Sequence, residues 1–533
     1  MDLALAIVFL AAGAGTVCHT VDQLVLLRWA ALDRAERRRP RQTARPGGSR
    51  PMPTVVVQLP VYNEPRVVVR LLDAVARLEY PRGRWSVQVL DDSDDATTQL
   101  ITQWARRHPG VPLDHVRRAA RDGFKAGALA AGLQRIPSAD VVAVLDADFV
   151  PPSDFLLRAL ALLAPDVAVV QGSWGHLNAE QNLLTTAGAV MMDNHFHLEQ
   201  AGRQRSGAFR AFNGTAGVIR CDAIREVGGW RSETLTEDFD LSLRLQLAGW
   251  RIAYEPELVV LAELPATASA LRLQQHRWMR GVAQNARTHL RTVLRAPLPV
   301  RVRLHLAAQI LETATFLAVA VQVVLAPVVA WRVATGDLPV WVGLNIPMAL
   351  AWLGLLPVYL FSLRPRIGPW PARVRSYLVF VAVSGGLALH DALAVLAGWC
   401  SRRADFERTP KAGDATAPTG AASPAPARAT SADSSSVGAV TGSRHRRGTI
   451  TAEVVLSLAI VVGCAGVSVA HPAASLLMWP TAGWAAGMCL VLMAGAPDHF
   501  RRSRVRAVQL RHRQESAHTD RARTRNRVLP TRP

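Results

Sequence analysis

The sequence predicts an α/β domain joined to a transmembrane α-helical region, and three observations lead there. Short apolar runs alternate with helical patterns across residues 53–300. Long apolar runs flank that stretch, and arginine-rich clusters abut them. The 533-residue chain is 50% hydrophobic with a mean hydropathy of +0.14, high for a soluble protein and low for a pure membrane bundle.

Within residues 1–32, "LALAIVFLAAGAGTVCHTVDQLVLL" lacks a basic start and is followed by arginines. It reads as a retained signal anchor with its N-terminus outside, rather than a cleaved signal peptide. His19 and Asp22 interrupt it and are expected to face other helices. Residues 33–52 form a basic cytosolic linker. In the domain at 53–300, "TVVVQLP", "WSVQVLDD" and "DVVAVLDAD" read as strands, with "RVVVRLLDAVARL" and a segment from about 97 as helices. This alternation argues for a mostly parallel sheet, whose ligands bind beyond the carboxyl ends of the strands. Residues 301–400 hold two runs long enough to span a bilayer, "LHLAAQILETATFLAVAVQVVLAPVVAW" and "LPVWVGLNIPMALAWLGLLPVYLF". The third run, 376–400, carries Gly385-Gly386 and His390-Asp391 and suits a broken, re-entrant or interfacial helix, with a full span as the alternative. Residues 401–448 are a cytosolic segment whose Ala/Ser/Thr/Pro-rich part, about 412–443, reads as a disordered linker, with 449–497 a transmembrane hairpin and 498–533 a basic cytosolic tail.

The net charge of +20 sits beside apolar segments, which favours cytoplasmic flanks and anionic headgroups and argues against nucleic acid as a partner. If 376–400 does not cross, five spans leave every strong basic cluster on the cytoplasmic side, as the positive-inside rule asks. Five scattered cysteines without a CxxC pair imply neither a disulfide framework nor a zinc site.

Acidic residues collect at the predicted strand ends. Asp146 and Asp148 flank one residue, so alternation points both carboxylates to one side, where a hard divalent cation would relieve their repulsion. An ordinary strand-end turn is the plainer reading. Asp91 and Asp92 end another strand and suit a base or a ribose, whereas Asp94 and Asp95 read as a solvated turn. Tyr62 could stack on a base, and Glu64 could accept from its ring or a ribose. Thr236, Glu237 and Asp238 open a helix, where capping competes with a general-base role for Asp238. Gln274, Arg277 and Trp278 suit a diphosphate and a sugar ring, or equally an interfacial helix. Only two lysines occur, Lys125 and Lys411, against a total of 61 Lys and Arg.

In order, "DDS", "KAGAL", "DAD", "FNGTAG", "TED" and "QQHRW" make the chain resemble the inverting membrane-bound glycosyltransferases of family 2, closest to plant cellulose-synthase-like mannan and glucomannan synthases. The resemblance covers about 52–290 well and the apolar part loosely. It implies a cytosolic GT-A (Rossmann-like) fold, a nucleotide-sugar donor and Mg²⁺ or Mn²⁺. By that likeness Asp92 (or Asp91) contacts the nucleotide, Asp146 and Asp148 serve the metal and the diphosphate, and Lys125 faces the donor. Asp238 is the base, with Glu237 beside it. Phe212, Asn213, Gly214 and Thr215 line the acceptor site, and Gln274, Arg277 and Trp278 hold the diphosphate and the glycan end. "FERTPK", 406–411, is similar to a cytosolic gating-loop motif, with Arg408 in place of the usual Val. The expected setting is the plasma membrane, multi-pass, with the catalytic domain cytoplasmic. Three functions follow: a processive synthase drawing on GDP-mannose or UDP-glucose, a transferase adding one or a few sugars to a lipid acceptor, and a non-catalytic membrane protein.

Overall fold

The computed structural model describes residues 2–37, 52–363, 365–401, 409, 411 and 456–494. The expected linker at 401–448, the tail at 498–533 and all of "FERTPK" except Thr409 and Lys411 lie outside these residues.

The chain opens on one long helix, α1 (Asp2–Arg37), and then alternates as its apolar pattern requires: β1 (Val55–Val61), α2 (Val68–Val75), β2 (Trp85–Asp91), α3 (Thr97–Arg107), β3 (Leu113–Arg117), α4 (Phe124–Gln134), β4 (Val141–Val144), α5 (Phe155–Leu160) and β5 (Val167–His176). A helical stretch follows, α6 (Leu183–Asn194), a π-helical turn (His195–Gln200) and α7 (Ala201–Ser206). Then come β6 (Gly217–Arg220), α8 (Cys221–Glu226), α9 (Glu237–Leu247), β7 (Arg251–Ala262) and α10 (Ala268–Arg295). The strands form one seven-stranded sheet of order β3-β2-β1-β4-β6-β5-β7. It is mostly parallel, with β6 antiparallel to both β4 and β5.

Alternation along the strands builds a core on each face. Val141 and Ala143 join Val55, Val57 and Leu59 over α2 and α5. Val142 and Val144 join Leu129, Leu241 and Ile252 under α4 and α9. Burial on both faces explains the near-continuous Val-rich runs read in the sequence.

Beyond α10 lie α11 (Val300–Leu311), α12 (Ala314–Ala334), α13 (Val340–Leu344), α14 (Ile346–Ser362), α15 (Trp370–Cys400), α16 (Leu456–Ala470), a 3₁₀ turn (Pro472–Met478) and α17 (Trp479–Ala494). Five stretches are long and apolar enough to cross a membrane: Asp2–Arg37, Ala314–Ala334, Val340–Ser362, Trp370–Cys400 and Pro472–Val491.

Three sequence expectations are corrected here. The run from 304 to 331 is not one helix: α11 ends before Glu312 and Thr313, which border an internal cavity. The second run breaks at Asn345, a left-handed residue with φ +48. The third run is neither broken nor re-entrant, because α15 is continuous through Gly385-Gly386. Of the two glycines read as a break, Gly386 serves close packing instead. A Cβ on Gly386 would lie 2.3 Å from the backbone of Gly487 in α17, so the two helices touch there. Polar contacts hold each end of α15, the first to α14 and the second to α10 of the sheet domain. Arg373 donates to the Leu360 carbonyl at the end of α14, and Arg287 of α10 donates to the Trp399 carbonyl.

The second half of α1 packs on α6, the π-helical turn, α7 and β7. Leu26 and Ala30 share a cluster with Val190, Phe196, Leu198 and Tyr254. A Cβ on Gly202 would meet the Leu26 carbonyl at 2.6 Å. The first half runs instead along α12, where Arg332 pairs with Asp2 at 2.6 Å.

Candidate active site

The loops after β1, β2 and β4 meet at one edge of the sheet. After β1 the chain turns through Asn63 at φ +54, a conformation Asn tolerates better than most residues. Asn63 stitches this loop to the next: its Nδ2 donates to Asp94 Oδ1 at 2.6 Å, and its Oδ1 accepts from the Asp94 amide at 3.0 Å. Tyr62 and Glu64 line the resulting cavity. One face of Tyr62 carries the Arg121 guanidinium, 3.4 Å from the ring centroid, a cation–π partner the sequence reading missed.

Asp91 and Asp92 point opposite ways, as successive strand residues must. Asp91 is 1% exposed and accepts from the Ser93 amide, the Thr98 hydroxyl and His115. Burial would raise its carboxyl, but the hydrogen bonds from His115, Ser93 and Thr98 outweigh it and hold the group down at about 2. Asp91 therefore secures the turn and is not at the cavity, which corrects its expected role. Asp92 lines the cavity, gripped at both oxygens by Arg118. Arg118 also donates to the Asp122 and Phe124 carbonyls, tying down the loop that delivers α4 and Lys125.

Lys125 and Lys411 neutralise the two aspartates beyond β4. Lys125 Nζ lies 2.6 Å from Asp146 Oδ1, 3.0 Å from the Gly214 carbonyl and 3.9 Å from Glu237 Oε1. Burial pulls the Lys125 ammonium down, yet Asp146 and Glu237 reverse this and the net shift is upward. Lys411 Nζ lies 2.7 Å from Asp148 Oδ2, which also accepts from the Glu263 amide. Asp146, at 34% side-chain exposure, is open to the cavity.

Within the 212–215 segment the roles divide. Phe212 and Thr215 are buried, Phe212 at the edge of a larger second cavity and Thr215 accepting from the Asp146 amide. Asn213 lines both cavities. Gly214 sits at φ +75, and a Cβ there would come 2.7 Å from Asp238 Oδ2.

Glu237 and Asp238 open α9. Thr236 precedes them but makes no side-chain cap, so the plainer helix-cap reading fails. Its hydroxyl instead accepts from Asn285 of α10 at 2.9 Å, Leu235 N donates to Gln284 Oε1, and His289 meets Asp240 at 2.7 Å. These three α10 residues clamp α9 in place. Isolated polar residues on a long amphipathic helix gave no signal for that in the sequence. Burial and the neighbouring Glu237 charge raise the Asp238 carboxyl to about 7, and burial first of all raises Glu237 as well. A carboxyl raised to near neutral pH, as at Asp238, is the kind of group that acts as a general base.

Gln274, Arg277 and Trp278 lie along α10 and line the first cavity, and Trp278 lines the second too. Burial lowers the Arg277 guanidinium. The second cavity, about 360 Å³, runs from Asp238 and Trp278 into the apolar helices, past Phe316, Leu355, Phe380 and Leu387. Among the described residues no group of three or more His, Cys, Asp or Glu side chains is placed to hold a metal. Asp146 and Asp148 both line the first cavity, and a carboxylate pair there fits Mg²⁺ or Mn²⁺, which take their remaining ligands from phosphates and water.

Comparison with known proteins places this geometry. The model of a family described as "Glycosyltransferase like family 2" matches residues 52–281. Glucomannan 4-beta-mannosyltransferase 2 of Arabidopsis thaliana is 39% identical over 281 residues, 51% of this chain and 52% of the relative. Glucomannan 4-beta-mannosyltransferase 1 of Oryza sativa subsp. japonica is 40% identical over 257 residues, 46% of this chain and 49% of the relative. The chain thus spans about half the length of the curated relatives it matches. Among solved structures, the mannosyltransferase PcManGT from Pyrobaculum calidifontis, in complex with GDP-Man and Mn²⁺, shares the fold at 20% identity, with a TM-score of 0.50 over 74% of this chain and 99% of that one.

Proposed function

We propose, from the match of residues 52–281 to glycosyltransferase family 2, that the chain is an inverting membrane hexosyltransferase extending a β-linked glycan from a nucleotide sugar. The observation that carries the proposal is the position of Asp238. It stands where a cavity lined by charged residues meets a larger, more apolar one, beside the Lys125–Asp146 pair. GDP-mannose is the favoured donor, since the similar enzymes are mannosyltransferases, with UDP-glucose as the alternative.

In this reading Tyr62, Glu64 and Asp92 receive the nucleoside, and Lys125 and Arg277 face the diphosphate. Asp146 and Asp148 would hold a divalent cation, which supplies charge neutralisation to the leaving diphosphate. Asp238 takes the proton of the acceptor hydroxyl as that oxygen attacks the anomeric carbon from the face opposite the diphosphate. Glu237 supports the base by raising its affinity for that proton. Trp278 packs the terminal sugar at the junction of the cavities, with Asn213 opposite and Gln274 nearby.

The second cavity would carry the growing chain, which makes the enzyme processive. Its apolar lining favours a second reading equally compatible with Asp238, in which the acceptor is a lipid that receives one or a few sugars. Membranes incubated with labelled GDP-mannose or UDP-glucose distinguish the readings. A size ladder or insoluble polymer supports the synthase, a solvent-extractable product the glycolipid enzyme. No nucleotide release with either donor sinks both.

We place α15 outside the crossings although it is long and apolar enough to span, because it packs along α10, where His390 meets the Arg272 carbonyl and Arg287 donates to the Trp399 carbonyl. The five crossings of this reading are α1, α12, α13–α14, the shorter α16 and α17. Arg366, Arg373 and Arg375, around the start of α15, then fall on the side of the sheet domain, and the positive-inside rule makes that side cytoplasmic.

A further inference from the structure

Asn213 is held by a hydrogen-bond relay that starts in the first apolar helix. Gln23 of α1 donates from Nε2 to Glu199 Oε1 at 2.8 Å. Glu199 Oε2 lies 3.1 Å from His195 Nδ1 and 3.2 Å from Arg203 Nη1. His195 Nε2 lies 3.0 Å from Asn213 Nδ2, and Gln200 Nε2 lies 3.0 Å from Asn213 Oδ1. His195, Glu199 and Gln200 all belong to the π-helical turn between α6 and α7. Such turns recur at functional sites because they re-aim side chains that a regular helix would present elsewhere.

The donors and acceptors in this relay are fixed by one charge. Burial alone would raise the Glu199 carboxyl, but Arg203 and His195 reverse it and hold the group well below its ordinary value. An ionised carboxylate only accepts, so His195 donates from Nδ1, and in the neutral imidazole Nε2 keeps its lone pair. That lone pair takes the Asn213 amide N–H, while Asn213 Oδ1 accepts from Gln200. The competing pairing, His195 Nε2 to Asn213 Oδ1, is longer at 3.3 Å. The Asn213 amide is thereby locked against a flip. One N–H and one lone pair remain, a set that a sugar hydroxyl satisfies by accepting and donating at once.

Resting on the transferase reading above, we propose that His195, braced by Glu199, is a positioning residue that orients Asn213 toward the acceptor hydroxyl beside Asp238. Asn213 stands at the junction of the two cavities, and its neighbour Gly214 abuts Asp238. His195 lines only the second, acceptor-side cavity. The relay therefore acts on the acceptor and not on the donor. A general base works only on a hydroxyl held within hydrogen-bond reach, so an acceptor left free to turn loses rate.

The test compares full-length His195→Phe and His195→Gln with the wild type in membranes. The probes are GDP-mannose or UDP-glucose as donor and a β-1,4-linked manno-oligosaccharide as acceptor. His195→Phe removes the lone pair and should raise the acceptor KM at least ~10-fold, with the donor KM and the affinity for GDP or UDP unchanged. His195→Gln offers a carbonyl to Asn213 and should recover most of that loss. An unchanged acceptor KM in His195→Phe overturns the role. So does an equal loss of nucleotide affinity in both variants, which marks a residue that only supports the fold. A wild type that releases no nucleotide from either donor overturns the transferase reading itself, and this role with it.

Discussion

At the residue scale, Lys125 meets three acceptors around one point: Asp146, the Gly214 carbonyl and Glu237. A compact ammonium satisfies them, whereas a flat guanidinium fork cannot without displacing one. Lys125→Arg should lower kcat/KM for the donor about tenfold, a loss of about 1.4 kcal/mol in transition-state stabilisation, measurable in steady-state assays. Asp238→Asn should cost about 10²–10⁴-fold in transfer while nucleotide affinity, read by calorimetry, stays put. The pH profile follows from the same group. Transfer needs Asp238 ionised, so with its carboxyl raised to about 7 the rate should fall tenfold per unit below neutrality, where an ordinary aspartate would leave a plateau. The stability term has the matching sign. A carboxyl raised in the folded state favours folding at low pH, and that contribution is lost as pH climbs from 3.8 to about 7. The acidic strand ends were legible because strand alternation and turn chemistry are local. Which of Asp91 and Asp92 faced the cavity was not, because that depends on strand register and on distant partners such as His115 and Arg118.

At the scale of elements, glycine shows where local reading stops. Gly385-Gly386 looked like a helix break, yet the helix runs on and only one of the pair packs against a neighbour. Nothing lies within 4 Å of a Cβ on Gly385, whereas a Cβ on Gly386 meets Gly487 at 2.3 Å. Helix propensity alone predicts a gain of about 1 kcal/mol for either change to alanine. The crossing with α17 reverses the sign at one site. Gly385→Ala should raise or preserve the thermal midpoint of the detergent-solubilised protein, and Gly386→Ala should lower it. A drop in both would place strain elsewhere in α15. The strands and the helices between them were readable from period alone. The π-helical turn and the break at Glu312 were not, since both answer to partners brought from far along the chain.

At the scale of the whole molecule, two cavities share a wall that carries Asn213, Asp238 and Trp278, and the apolar helices complete the larger one. A fragment of residues 52–299 would expose Val190, Phe196, Leu198 and Tyr254, which Leu26 and Ala30 cover in the full chain. It should aggregate or melt without a cooperative transition by circular dichroism, and a soluble, cooperative fragment would show that α1 is dispensable to the fold. The six ordered motifs made the sheet domain and its chemistry legible over 52–290. The coupling between that domain and α1 left no sequence trace, because Gln23 is one polar residue in an apolar run.

The packing of α1 has a further consequence for how such a chain can change. A helix that only tethers is replaceable by any greasy segment, or by a lipid, since the bilayer asks for little beyond length and hydrophobicity. Here one end of the tether forms part of the enzyme's interior, with specific side chains, a specific helical phase and a fixed depth. Shortening it by a single residue would rotate its packed face by about 100° and turn Gln23 and Leu26 away from their partners. The position of the apolar half of α1 relative to Asn213 and Asp238 is therefore set to within one residue, and α1 is part of the domain it precedes.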